Sequence, residues 1–125
     1  MKICVTASEG TLDASVDPRF GRAAYFTIVD SESMAFETVP NAAVSAMGGA
    51  GIQAAQTLAK KGVSVLITGN VGPNAIQALK SAGIKVIVGA GGTVKDVVER
   101  YKRGELKETN SPTVEGHFGK LRNRR

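Results

Sequence analysis

Residues 62–74, Gly-Val-Ser-Val-Leu-Ile-Thr-Gly-Asn-Val-Gly-Pro-Asn, constrain the fold more than any other stretch of the 125-residue chain. Val63, Val65, Leu66 and Ile67 make a short apolar run bounded by glycines, the pattern of a strand buried on both faces. Thr68 to Gly72 cannot continue it. Pro73, with its fixed φ and no N–H, suits the first position of a helix. Ala75, Ile76, Ala78, Leu79 and Ala82 then recur at helical spacing. A strand, a glycine loop and a helix in this order leave backbone N–H groups at a helix N-terminus just past a strand's carboxyl end. In open α/β sheets that is where ligands bind.

The unit recurs. Gly62-Val-Ser-Val-Leu-Ile and Gly83-Ile-Lys-Val-Ile-Val begin two βα modules 21 residues apart, which predicts parallel neighbouring strands joined by a right-handed crossover. Upstream, Lys2–Thr6 is a strand of central character. Ala7–Gly21 lacks periodicity and reads as a long loop. Ala24–Asp30 and Met34–Val39 read as a hairpin ended by Pro40. A small-residue loop, Asn41–Ala50, precedes a helix over Gly51–Lys61 whose C-terminal glycine is Gly62. Ile84–Val88 is the fifth strand. Thr93-Val-Lys-Asp96 has capping-box spacing and starts a third helix, striped by Val94, Val97, Val98 and Tyr101 and stopped by Gly104. An antiparallel half followed by a βα half gives a mixed five-stranded α/β sheet with helices on its faces. The pattern fades after Leu106, so residues 1–106 form one domain and 107–125 a mobile tail.

Several function classes are excluded. No Gly-x-x-x-x-Gly-Lys-Ser/Thr occurs, which removes a P-loop NTPase. The single His and single Cys cannot build a hydrolase triad, a zinc site or an iron–sulfur ligand set. Glu9 and Asp13 have no acidic partners on the fourth strand, so a two-metal nuclease lacks its carboxylates. Cys4, inside the first strand, reads as a buried structural thiol, and His117 as a tail residue. Gly49-x-Gly51-x-x-Ala54 has dinucleotide-like spacing, but no strand leads into it and no acid follows about 20 residues on. One cysteine, no long apolar run and a strand pattern starting at Lys2 predict a cytoplasmic protein without a membrane span.

The formal charge of +5 is unevenly placed. From residue 100 onward there are eight basic and three acidic residues, while residues 1–99 are balanced. Phe118 is the tail's one aromatic, too little for a nucleic-acid face. The tail reads as a solvated segment, with docking onto an acidic protein partner as the functional alternative.

Asp17-Pro-Arg19-Phe20-Gly21-Arg22 is the second notable stretch. Its arginines suit bidentate contact with an anion. The structural alternative pairs Asp17 with Arg19 or Arg22 and tucks Phe20 into the core.

Asp-Pro-Arg-Phe-Gly-Arg-Ala-Ala-Tyr-Phe, then Gly-Ala-Gly-Ile-Gln, then Val-Leu-Ile-Thr-Gly-Asn-Val-Gly-Pro-Asn-Ala, in that order over residues 1–106, resemble the dinitrogenase iron–molybdenum cofactor biosynthesis family. The resemblance implies a three-layer α/β/α, ribonuclease-H-like fold in a small stand-alone member. It implies a binding or carrier protein without catalytic activity, whose cargo is an iron–sulfur or iron–molybdenum cluster or its precursor. Arg19, Phe20, Gly21, Arg22, Gly49, Gly51, Gly69, Asn70, Gly72 and Pro73 occupy the positions matching the family motifs, and are the candidate ligand-binding residues. No residue is assigned as a metal ligand, since the domain's Cys4 and the tail's His117 are its only thiol and imidazole. The expected ligand is an anion held between the Arg19–Arg22 loop and the glycine loops at 48–51 and 69–72.

Overall fold

A computed structural model describes residues 1–42 and 49–109. Five strands, β1 (Lys2–Ala7), β2 (Tyr25–Asp30), β3 (Phe36–Pro40), β4 (Val65–Ile67) and β5 (Lys85–Ile87), form one mixed sheet in the order β3-β2-β1-β4-β5. β1 lies at the centre, antiparallel to β2 and parallel to β4, and β5 is parallel to β4. Among the described residues three helices complete the three-layer α/β/α fold: α1 (Ala50–Lys60), α2 (Pro73–Ser81) and α3 (Val94–Lys102).

The layers follow from alternation along the strands. Cys4, Phe26, Ile28, Leu66 and Val86 face α1 and α2, packing on Ala54, Leu58, Ile76 and Leu79. Ile3, Val5, Val29, Val65, Ile67 and Ile87 face the other way onto Val94, Val97 and Val98 of α3. Strands covered on both sides carry apolar residues at successive positions, which is why β4 is a run and not an alternation. Thr93 Oγ1 accepts from Asp96 N at 3.1 Å and Thr93 N donates to Asp96 Oδ2, completing the capping box of α3. Gly62, at φ +77, ends α1 in the left-handed region as its position after the helix requires.

Three local expectations differ from the structure. β3 begins at Phe36, because Asp30 Oδ1 accepts from Glu32 N and Ser33 N and folds residues 30–35 into a turn with Met34 at φ +64. Residues 7–21 are not irregular throughout. Val16 bridges Ala7, Ser15 bridges Thr93 and Arg19 bridges Asn70. At the other end, Thr109 N donates to Val86 O at 2.7 Å, so contact with β5 reaches three residues past the boundary expected at Leu106. Residues 110–125, with His117 and Phe118, lie outside the described residues.

On β2, Thr27 is wholly buried, opposite Val5 and Thr38, and its Oγ1 has no hydrogen-bond partner among the described residues. A buried hydroxyl without a partner carries a desolvation cost. Thr27→Val keeps the branched shape and removes that cost. It should raise stability by about 1 kcal/mol, read as a higher urea midpoint at unchanged slope.

Candidate functional site

The chain leaves the parallel pair β1 and β4 in different directions: from β1 into the 8–24 loop, from β4 into Thr68–Gly72 and α2. Between these exits lies a cavity of about 440 Å³. Its position at the carboxyl ends of the strands is where a divergence of connections opens a crevice.

The floor is tied to the sheet. Thr6 Oγ1 donates to Asp17 O at 2.7 Å, and Thr68 Oγ1, 2.8 Å from Thr6 Oγ1, donates to it in turn. Both hydroxyls are fully buried. Asp17 N donates to Thr6 O, and Asp17 Oδ1 accepts from Arg19 N at 3.0 Å and Arg19 Nε at 3.4 Å. Asp17 is thus a buried carboxylate that holds Arg19, the pairing the sequence left open between Arg19 and Arg22. Asn70 N donates to Pro18 O at 2.7 Å and Phe20 N donates to Asn70 O at 3.3 Å, so the arginine loop and the loop after β4 are laced together. Phe20 is 2% exposed and its ring centroid lies 5.8 Å from that of Phe26. Its place in the core is the structural alternative, yet it also borders the cavity, whose wall it forms beside Gly21.

Nine of the ten sequence-derived residues line this one cavity. Arg19, Phe20, Gly21 and Arg22 come from the first loop, Gly49 and Gly51 from the start of α1, and Asn70, Gly72 and Pro73 from the approach to α2. Gly69 does not. A Cβ there would lie 2.6 Å from Pro18 Cα, so its role is to let two backbones meet. Gly48, expected in the same rim, lies outside the described residues. The structure adds Ala50, Ile52, Val71, Asn74 and Ala75 to the lining. Most are the first-turn neighbours of the named glycines, a position legible from helix register.

The electrostatic character comes from the helix starts. α1 has Gly49 as N-cap at φ +71, and α2 has Gly72; neither has a side-chain cap or an acid in its first turn. Among the described residues nothing accepts from the N–H groups of Ala50, Gly51, Ile52, Asn74 or Ala75. At α3 the corresponding donors are all engaged, Val94 N by Ala14 O, Lys95 N by Leu12 O and Asp96 N by Thr93 Oγ1. Two of three helices therefore present uncapped N-termini, each equivalent to about half a positive charge, and both border the cavity that holds Arg19 and Arg22.

Among the described residues no carboxylate, thiol or imidazole lines the cavity. Among the described residues no group of three or more His, Cys, Asp or Glu could hold a metal ion. Cys4 is fully buried in the central strand, where burial pushes its thiol pKa up and keeps it protonated. The cavity thus presents backbone amides and guanidinium groups, all hydrogen-bond donors, on its described walls. No helix among the described residues is long and apolar enough to cross a membrane.

The family whose description is dinitrogenase iron–molybdenum cofactor matches residues 1–104. An uncharacterised protein of Methanocaldococcus jannaschii is 30% identical over 111 residues, covering 86% of this chain and 91% of that one. The apo form of the orange protein from Desulfovibrio gigas superposes with a TM-score of 0.88 at 50% identity, over 90% of this chain and 95% of that one. The NMR structure of a NifB-like protein from Thermotoga gives 0.78 at 39% identity, over 90% and 96%.

Proposed function

The chain belongs to the dinitrogenase iron–molybdenum cofactor family, and we propose that it is a non-enzymatic carrier of a preformed anionic metal–sulfur cluster, iron–sulfur or iron–molybdenum, or of a precursor. The observation that carries this reading is the convergence of two uncapped helix N-termini and two arginines on one cavity of about 440 Å³. The family and the orange protein, a relative described in an apo form, support the choice of cargo. The donor set supports the mode of binding. A bare metal ion needs thiolate, imidazole or carboxylate ligands, whereas a cluster that brings its own sulfur ligands asks for hydrogen-bond donors and positive charge. The cavity supplies those from Arg19, Arg22 and the first turns of α1 and α2, with Asn70 beside them. Its described lining holds no carboxylate, thiol, hydroxyl or imidazole, which suits binding and release of a preformed ligand.

Anaerobic titration with an iron–thiomolybdate anion, made from ferrous salt and tetrathiomolybdate, tests the proposal. Metal should co-elute with the protein on gel filtration, and retention should fall with ionic strength. Arg19→Ala and Arg22→Ala should each weaken binding about tenfold, as expected for losing a hydrogen bond to a charged group. Elution without metal, or arginine variants that bind like the parent, would overturn it.

A further inference from the structure

Gly51 sits one residue into α1, and Ala75 in the first turn of α2. A Cβ built on Gly51 would lie 2.7 Å from Ala75 Cβ, closer than real Cβ contacts come. The two helix starts are therefore as near as glycine against alanine permits. On its other side Gly51 meets Gly21, where an added Cβ would lie 3.1 Å from Gly51 N. Three small residues, one from each wall, thus meet at the junction of the cavity walls, beside the N–H groups of Ala50, Gly51, Ile52, Asn74 and Ala75, which have no acceptor among the described residues.

We propose that the Gly51–Ala75 contact sets the distance between the two open helix starts so that both act on one ligand. The cavity is then a receptor for a polyatomic anion of at least two negative charges that touches α1 and α2 together. This rests on the carrier reading above. A small monovalent anion is satisfied by one helix N-terminus. Two N-termini aimed at one volume are matched only by a ligand with acceptor atoms on both sides. The intrinsic effect of alanine at position 51 runs the opposite way, since alanine favours helix over glycine. Loss of binding on Gly51→Ala therefore reports the spacing and not the helix.

The test uses the iron–thiomolybdate anion on the full chain. Gly51→Ala should bind at least roughly tenfold more weakly, within the range of coupling between touching residues. Ala75→Val, which presses on the same contact from α2, should do likewise and keeps the test open if one variant fails to fold. The double variant Gly51→Ala with Ala75→Gly moves the methyl group across the contact and should recover affinity to within about threefold of the parent. It should do so although glycine at position 75 lowers the intrinsic helix propensity of α2. If the parent binds and the arginine variants do not, while Gly51→Ala and Ala75→Val bind like the parent, the spacing inference is wrong and the carrier reading stands. Loss in Gly51→Ala without recovery in the double variant also overturns it. A parent that fails to bind overturns both.

Discussion

Phe26→Ala should lower stability by about 3–5 kcal/mol, the usual cost of emptying a phenylalanine site in a closed core. Phe26 is fully buried on β2 between Thr6 of β1 and Val39 of β3. Domains of this kind have about 5–15 kcal/mol in total, so the melting temperature should drop by roughly 10 °C or more. The effect reaches the cleft through Phe20, whose ring is tilted 32° against that of Phe26. Without that support the Arg19–Arg22 loop loses its anchor in the core, and the folded fraction should also bind the iron–thiomolybdate anion more weakly. Phe26→Leu, which keeps most of the volume, should cost less than about 1.5 kcal/mol. Urea unfolding decides the matter: a Phe26→Ala loss below about 1.5 kcal/mol would show that the site collapses and that the ring pair is not a foundation.

Gly69→Ala is the second large effect, at about 2–3 kcal/mol from overpacking. The added methyl would lie 2.6 Å from Pro18 Cα and 2.9 Å from Pro18 O, both main-chain atoms that cannot swing aside. The strain falls where the cleft is assembled. Asn70 N donates to Pro18 O, and Gly89 N donates to Gly69 O at 2.8 Å, so pushing residue 69 from Pro18 disturbs the arginine loop and the exit from β5 together. Anion retention should fall with stability. Gly91, which has no atom within 4 Å of its would-be Cβ, is the control, and Gly91→Ala should stay within about 0.5 kcal/mol of the parent. Equal behaviour of the two variants in thermal unfolding would sink the argument.

The architecture was legible because its signals are local. Gly62 and Gly83, the apolar runs after them and the Thr93–Asp96 box each fix an element within a few residues, and the 21-residue echo gave the parallel pairing of β4 and β5. The cleft's components were legible for the same reason: arginines in a loop and glycines at helix starts announce themselves. What sequence could not give were contacts set by the folded sheet. Residues 7–21 gain their shape from Thr6, Asn70 and Thr93, all distant in sequence or on other elements. Gly69 reads in sequence as a ligand contact because a glycine beside a helix start often is one, whereas its close approach to Pro18 depends on the folded loops and is invisible there. Met34 looked like a strand residue because it is apolar, while Asp30 turns the chain there.

Cys4 has a consequence of a different kind. It is the chain's single thiol, fully buried in β1, and β1 is paired on both sides. Its side chain faces α1 and α2, so a thiol reagent reaches it only when that helix layer parts from the sheet, and labelling is a stopwatch for opening of the core. Any anion that binds the folded chain alone must slow that stopwatch by mass action. Occupancy of the cleft can thus be timed from one sulfur atom, without a coloured cargo and without a label engineered into the protein.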